Sequence, residues 1–336
     1  MRELLRALAA RDEANRYVLY ARTRWDEPLD ERFTWALAPA PGPRWNVRAA
    51  REASQACDVL LSTNSYLTAW FTSIPTVLEV YDLVAFDRDL RPSPRAGAIE
   101  RATLGPAVRR AAGMLCISRA TADALTERYP RAAGKVTVAL LGSSPALQPD
   151  PAMELPERFV LAVGTLEPRK NLPRLVEAYA ALPDQLQATH PLLVAGRIGW
   201  EAAETLDALR RLGDRCRLLG PVSDPQLAAL YARCTVFCYP SLAEGFGLPV
   251  LEAMTAGAPV ITSDTSSLPE VGGDAVEYVT PTETDSIRAA LQRLLNDPER
   301  RAALSQAGRT RAQEFSWDRH AELTLGALER ATRAPS

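Results

Sequence analysis

The sequence predicts an α/β protein built from two doubly wound, parallel-sheet domains. Three observations carry this expectation. Short β-rich runs alternate with helix-period runs along the chain. The alternation breaks once, at 143-SSPALQPDPAMELPE-157, which holds four prolines and no periodicity and reads as a linker. A chain of 336 residues is long enough to bury a core in each of two domains.

Taken in order, the first series places strands at 17–21, 33–38, 58–62, 76–83, 114–118 and 136–141. Helical patterns lie between them, as at 95–113 and 119–129, and the opening MRELLRALAA is amphipathic. The second series runs strand 159–164, helix 172–182, strand 191–196, helix 201–212, strand 216–220, helix 225–233, strand 235–240, helix 249–256 and strand 258–263. Helical segments at 284–296, 298–314 and 317–333 close the chain. The predicted organisation is a domain at 1–142, a linker at 143–157 and a second domain at 158–316. Residues 317–336 form a helix that packs back on the first domain. Strands alternating with helices give parallel sheets covered on both faces. Ligands then sit beyond the carboxyl ends of the strands. The turns after Gly164, Gly196, Gly220 and Pro240 are therefore where chemistry is expected.

Composition narrows the function classes. The chain is 47% hydrophobic and 24% charged, as in ordinary soluble globular proteins. Its net charge of −2 leaves no basic footprint for nucleic acid. Charge tilts mildly, basic before residue 150 and acidic after it, as solvated faces or a first half lying near anionic phospholipid would require. No apolar run approaches the roughly 18 residues of a spanning helix. Glu3 makes the opening a poor secretion signal. An odd set of five cysteines with no C-x-x-C pair reads as reduced, mostly buried thiols of a cytoplasmic protein. His190 and His320 are the only histidines, so a histidine-rich metal site is excluded, and both read as surface or capping residues.

Three turns stand out. In 163-VGTLEPRKN-171, Gly164 permits a tight turn, and Arg169, Lys170 and Asn171 fall at a helix start. Free N–H groups there, with an arginine fork and a lysine point charge, suit a phosphate. The bland alternative is a surface Arg-Lys pair. In 220-GPVSDPQL-227, Asp224 reads as an N-cap and Pro225 as the first helical residue, while Gly220 and Val222 offer backbone to a flat base. In 244-EGFGLPVLE-252, Gly245 and Gly247 allow close backbone approach. Pro249 suits a first helical turn and puts Glu252 on it. Glu244 stays in the loop, placed to meet a hydroxylated ligand, and Glu252 can accept from a ribose diol. A glutamate that caps its own helix would account for Glu252 but not for the glycines.

With E-x7-E in 244-EGFGLPVLE-252, then AMTAGAPVITSD, the second half resembles the donor-site signature of glycosyltransferase family 4. These are retaining, nucleotide-sugar-dependent enzymes of the GT-B fold. The resemblance extends through 161–182, 194-VAGRIGW-200, 219–249 and 315-FSWD-318, and GTLEPRKN resembles a mannosyltransferase-like branch that builds bacterial surface polysaccharides. In the first half, 80-VYDLVAFDRDLRPS-93 and 115-LCISRATADAL-125 fit more loosely. The resemblance implies that Arg169 and Lys170 hold the donor diphosphate, that Glu244 contacts the sugar, and that Glu252 contacts the ribose. It further implies a nucleotide-sugar pocket formed by Gly164, Thr165, Arg197, Gly220, Val222, Gly245, Phe246, Gly247 and Leu248. Asp82 would face the donor from the first, acceptor-side domain. GDP-mannose is the first donor suggested, then UDP-glucose or UDP-N-acetylglucosamine. The acceptor would be a lipid-linked or growing glycan, reached from the cytoplasm with peripheral contact at the inner membrane face. No metal or other cofactor is implied.

Three departures qualify the resemblance. Thr165 stands where many relatives have arginine, and Tyr81 where many have histidine. Relatives begin with a strand and a glycine-rich turn before the first helix. Here the chain starts inside that helix, so an upstream start is expected, with a first domain short of its first strand. A non-catalytic or impaired nucleotide-sugar binder is then the main alternative to an enzyme. Asp87-Arg88-Asp89 mimics a D-x-D metal site but reads better as a loop. A dehydrogenase lacks its G-x-G-x-x-G, and a glycosidase needs carboxylates flanking one bond.

Overall fold

The computed structural model describes residues 1–25, 29–38, 42–63, 65–87, 89–90, 94–143 and 148–333. The chain divides into two compact units, Met1–Gly142 with Ser316–Ser336, and Ser143–Phe315.

The first unit opens with α1 (Arg2–Arg11), which buries Leu4, Leu5 and Leu8 on one face. β1 (Tyr17–Ala21) and β2 (Phe33–Leu37) follow as a parallel pair. Next come α2 (Pro43–Ala56), β3 (Leu60–Ser62), α3 (Thr68–Phe71), β4 (Thr76–Val80), α4 (Pro94–Arg110), β5 (Gly113–Cys116), α5 (Arg119–Arg128) and β6 (Val136–Val138). β3, β4, β5 and β6 form a parallel sheet in that order. β1 and β2 form a separate two-stranded sheet. Among the described residues, β1 pairs with β2 alone and β3 with β4 alone. Side chains join what the ladders do not: Leu4, Leu5 and Leu8 pack with Tyr17, Leu19, Phe33 and Leu61.

The second unit contains β7 (Val160–Val163), α6 (Leu172–Ala180), α7 (Asp184–Thr189), β8 (Leu192–Ala195), α8 (Ala203–Arg211), β9 (Cys216–Gly220), α9 (Asp224–Arg233) and β10 (Val236–Tyr239). It continues with α10 (Leu248–Ala256), β11 (Val260–Ser263), α11 (Leu268–Gly272), β12 (Glu277–Val279), α12 (Thr284–Asn296) and α13 (Pro298–Ala312). Its six strands are ordered β12-β11-β10-β7-β8-β9, all parallel. The chain steps outward from β7 through β8 to β9, then returns to β10 on the other side. The order therefore reverses between β7 and β10, the point where parallel sheets open a crevice beyond their strand ends. The central strands are buried on both faces, which is why they read as unbroken apolar runs.

The last helix, α14 (Trp317–Arg333), belongs to the first unit and packs on α1 and β4 to β6. His320 on it is buried, its Nδ1 3.0 Å from the Ala139 carbonyl oxygen. His190 is buried too, with Nδ1 2.9 Å from Thr189 Oγ1. Neither is a surface histidine, the first alternative the sequence suggested, but His190 is the C-cap of α7, which is the second. A lone histidine carries no periodicity to reveal the face it occupies. Several boundaries also shift. The N-cap of α9 is Ser223, which closes a capping box with Gln226, and not Asp224. Both residues are cap formers, and the reciprocal bond with Gln226 decides between them. Arg169 and Lys170 lie in a 3-10 turn, Pro168–Lys170, with Asn171 in the left-handed conformation before α6 begins. Glu252 is the fifth residue of α10, one step beyond its first turn. Residues 148–157 contain no regular element. Arg88 of the Asp87-Arg88-Asp89 motif lies outside the described residues. Asp87 accepts from the Asp89 N–H at 2.9 Å. No described helix is long and apolar enough to cross a membrane.

Candidate active site

The turns after β7 and β10 lie side by side because their strands do. The Leu242 N–H donates to the Arg169 carbonyl at 2.8 Å, and the Asn171 amide donates to the Pro240 carbonyl at 2.9 Å. This docking brings Arg169 and Lys170 to Glu244, more than seventy residues away in sequence. Lys170 Nζ is 2.7 Å from Glu244 Oε1, and Arg169 Nη1 is 2.5 Å from Glu244 Oε2. Tyr239, the last residue of β10, donates its hydroxyl to Glu244 Oε1 at 2.8 Å and accepts from Lys170 Nζ at 2.5 Å. Glu167 pairs with Arg169 Nε at 2.5 Å, although its Oε1 lacks a hydrogen bond of good geometry. The formal charges of Arg169, Lys170, Glu167 and Glu244 cancel.

Burial raises the proton affinity of the Glu244 carboxyl. The charges of Lys170 and Arg169 outweigh it and hold its pKa below the usual carboxylate range. Burial also lowers the pKa of Lys170, against the pull of Glu244. We take Glu244 as charged, because two cations and a tyrosine hydroxyl converge on it.

Three glycines frame the neighbouring turns. Gly164, Gly196 and Gly220 end adjacent strands and all have positive φ. The Gly164 N–H donates to Ala195, and the Gly196 N–H donates to Gly220, each at 2.9 Å. A Cβ on Gly196 would lie 1.9 Å from the Gly164 carbonyl oxygen, so only glycine fits. Thr165 and Val222 are half-buried beside these turns, and Arg197 is exposed.

The loop 244–247 is pinned from behind. Ser267 Oγ donates to the carbonyls of Glu244 and Phe246 at 2.9 and 2.8 Å, and the Glu244 N–H donates to Ser266 Oγ at 3.0 Å. The Phe246 ring is buried edge-on against Phe315. Gly247, at φ 112°, starts α10 without a side-chain cap. The N–H groups of Phe246, Gly247 and Leu248 make no hydrogen bond to any described residue. That leaves a row of free donors at a helix N-terminus. On α10, Glu252 receives the Tyr231 hydroxyl at 3.3 Å, and burial pushes its pKa up to about 7. Asp82 lies in the first unit, where its Oδ1 accepts from the Val84 N–H at 3.0 Å. Its neighbour Tyr81 donates to the buried Glu79 at 2.8 Å. No group of three or more potential metal ligands is gathered among the described residues.

Tyr239, Glu167, Ser266 and Ser267 were not anticipated from the sequence. Tyr239 had a usable signal, since a tyrosine closing an apolar strand at the ligand edge brings a polar tip to it.

Residues 145–311 match the model of the family described as glycosyl transferases group 1. The match takes in nearly the whole second unit, which resembles a group 1 glycosyltransferase domain. O-antigen chain mannosyltransferase B of Escherichia coli is 40% identical over 206 residues, 58% of this chain and 54% of that protein. MMP alpha-(1->4)-mannosyltransferase of Mycolicibacterium hassiacum is 33% identical over 226 residues, 65% of this chain and 54% of its own length. The chain thus spans about half the length of these two curated relatives. Sucrose-phosphate synthase from Thermosynechococcus elongatus superposes with a TM-score of 0.78 at 23% identity, covering 98% of this chain and 91% of that one. The fold is the mixed α/β, parallel-sheet fold of GT-B glycosyltransferases.

Proposed function

We propose that the chain is a retaining hexosyltransferase, taking mannose from GDP-mannose and adding it to a glycan or lipid-linked acceptor in cell-surface polysaccharide synthesis. The observation that carries this reading is the Arg169–Glu244–Lys170 network beside the free N–H groups of Phe246, Gly247 and Leu248. A diphosphate docked on those N–H groups draws Arg169 and Lys170 onto its oxygens and frees Glu244 for the sugar hydroxyls. Glu252 accepts from the ribose diol. The bond from the anomeric carbon to the diphosphate oxygen breaks as the two cations neutralise the leaving group. The acceptor oxygen bonds to that carbon from the same face, and its proton passes to the departing phosphate oxygen. Asp82 acts from the acceptor side. Mannose is favoured by the names of the two relatives. The work is done in the cytoplasm, at the inner membrane face, without a metal.

Thermal shifts with GDP-mannose, UDP-glucose and UDP-N-acetylglucosamine test the donor, because a ligand at 100 times its Kd stabilises by about 2.7 kcal/mol. Release of nucleoside diphosphate from the donor that binds tests catalysis. The reading fails if no nucleotide sugar shifts the melting temperature. A second reading, a nucleotide-sugar binder without turnover, is favoured by the split between β1 and β3 in the first unit. Donor binding with no diphosphate release, even with a glycan or lipid-linked acceptor present, would select it.

A further inference from the structure

The second unit holds a cavity of about 930 Å³ at the edge of its sheet opposite the candidate active site. Its wall includes Arg158 just before β7, His190 just before β8 and Thr235 just before β10, and the parallel register puts all three on the amino-terminal edge. Arg301 of α13 and Asn296 at the end of α12 also line it. The volume suits a small molecule.

No carboxylate lines this cavity, yet two guanidinium groups and a buried imidazole do. Arg301 is held in place by Nη1, which donates to the carbonyls of Leu294 and Leu295 at 2.5 and 3.1 Å. Among the described residues, no hydrogen bond or ion pair engages Arg158. Burial, then the charge of Arg158, lowers the proton affinity of Arg301. The same charge bears on His190, after burial. Asp297 opposes this only in part, since its carboxylate caps α13 through the Arg300 N–H at 2.8 Å. The two guanidinium charges line one cavity and repel each other, and an anion between them relieves that repulsion. Paired guanidinium forks match the oxygens of a phosphate dianion.

We propose that this cavity is a second ligand site, distinct from the transfer site, that binds a phosphomonoester between Arg158 and Arg301. Thr189, Thr235 and Asn296 then face the polar body of the ligand.

Inorganic phosphate is the probe, titrated into the whole chain and followed by phosphorus NMR and calorimetry. Wild type and Lys170→Ala are expected to bind it, whereas Arg158→Ala binds at least about tenfold more weakly. Arg158→Lys recovers part of the loss. Arg158 is exposed and unpaired, so its removal leaves folding intact. Sedimentation with phosphatidic acid vesicles, against phosphatidylcholine alone, tells a lipid headgroup from a soluble ester. Phosphate binding unchanged by Arg158→Ala, or abolished by Lys170→Ala alone, overturns the proposal.

Discussion

Lys170 and Glu244 form a buried ion pair, Nζ to Oε1 2.7 Å, with side chains 9% and 8% exposed. They come from turns that adjacent strands bring together, and Tyr239 bonds to both. Glu244 neutralises both Lys170 and Arg169 in this buried setting. Breaking a buried pair is costly chiefly because the surviving charge stays buried.

The two partners of this pair should therefore respond unequally to substitution. Glu244→Ala strands Lys170 and leaves Arg169 with Glu167 alone, and is expected to cost about 3–5 kcal/mol in urea unfolding. Lys170→Ala leaves Glu244 paired with Arg169 and should cost less, about 1–3 kcal/mol. Lys170→Met with Glu244→Gln should recover stability relative to Glu244→Ala. Turnover falls about a hundredfold or more in all three. Equal destabilisation by the two alanine variants would count against the network.

Glu252 makes stability depend on pH. Its carboxyl titrates near 7 in the fold, against 4.5 ordinarily, because burial penalises the charge. A raised carboxyl pKa gives stability that is full below 4.5 and is lost as pH rises through 7. Glu252→Gln should thus melt like wild type near pH 4. At pH 8 it should be more stable by up to about 3 kcal/mol. The same variant should bind donor more weakly at pH 8, since an amide is a poorer acceptor for a diol. Parallel melting curves at pH 4 and pH 8 check the first point, and donor titration the second.

The turns of the candidate site were legible because glycine, proline and charge punctuate them. Gly164 and Arg169-Lys170, or Gly247 and Glu252, announce a backbone need and a ligand type within a few residues. What the sequence hid was long-range. Nothing local says that Glu244 meets Lys170 and not a ligand, since the contact depends on β7 and β10 being neighbours. β12 was missed because three residues, Glu277–Val279, give too short a run to alternate. Among the described residues the first unit's strands fall into two ladders, β1–β2 and β3–β6, a division that no local run encodes.

Gly196 tests the packing of the site without touching its charges. At φ 148° an alanine Cβ would meet the Gly164 carbonyl oxygen at 1.9 Å, and backbone cannot swing aside as a side chain can. Gly196→Ala should cost about 3 kcal/mol or more and abolish donor binding. Gly213→Ala is the control. Gly213 also has positive φ, at 56°, but open space around it, so the cost is about 1 kcal/mol of backbone strain. Similar melting temperatures for the two variants would show that steric contact at Gly196 does not govern the site.

The unjoined ladders of the first unit should appear in hydrogen exchange. β4 is paired on both sides and wholly buried, and β5 likewise, so their amides should open only near the global unfolding limit. β1 has one partner, and each of its residues is only half-buried. Its stability rests on side chains, the stacked rings of Tyr17 and Phe33 at 4.6 Å and the leucines of α1. Amides of β1 and β2 should therefore exchange through a separate, lower-energy opening, faster than those of β4 and β5 by a factor of about 100 or more, or about 3 kcal/mol. Phe33→Ala should accelerate exchange in β1 and α1 while leaving β4 and β5 protected. Uniform protection across all six strands would mean that the two sheets unfold as one unit.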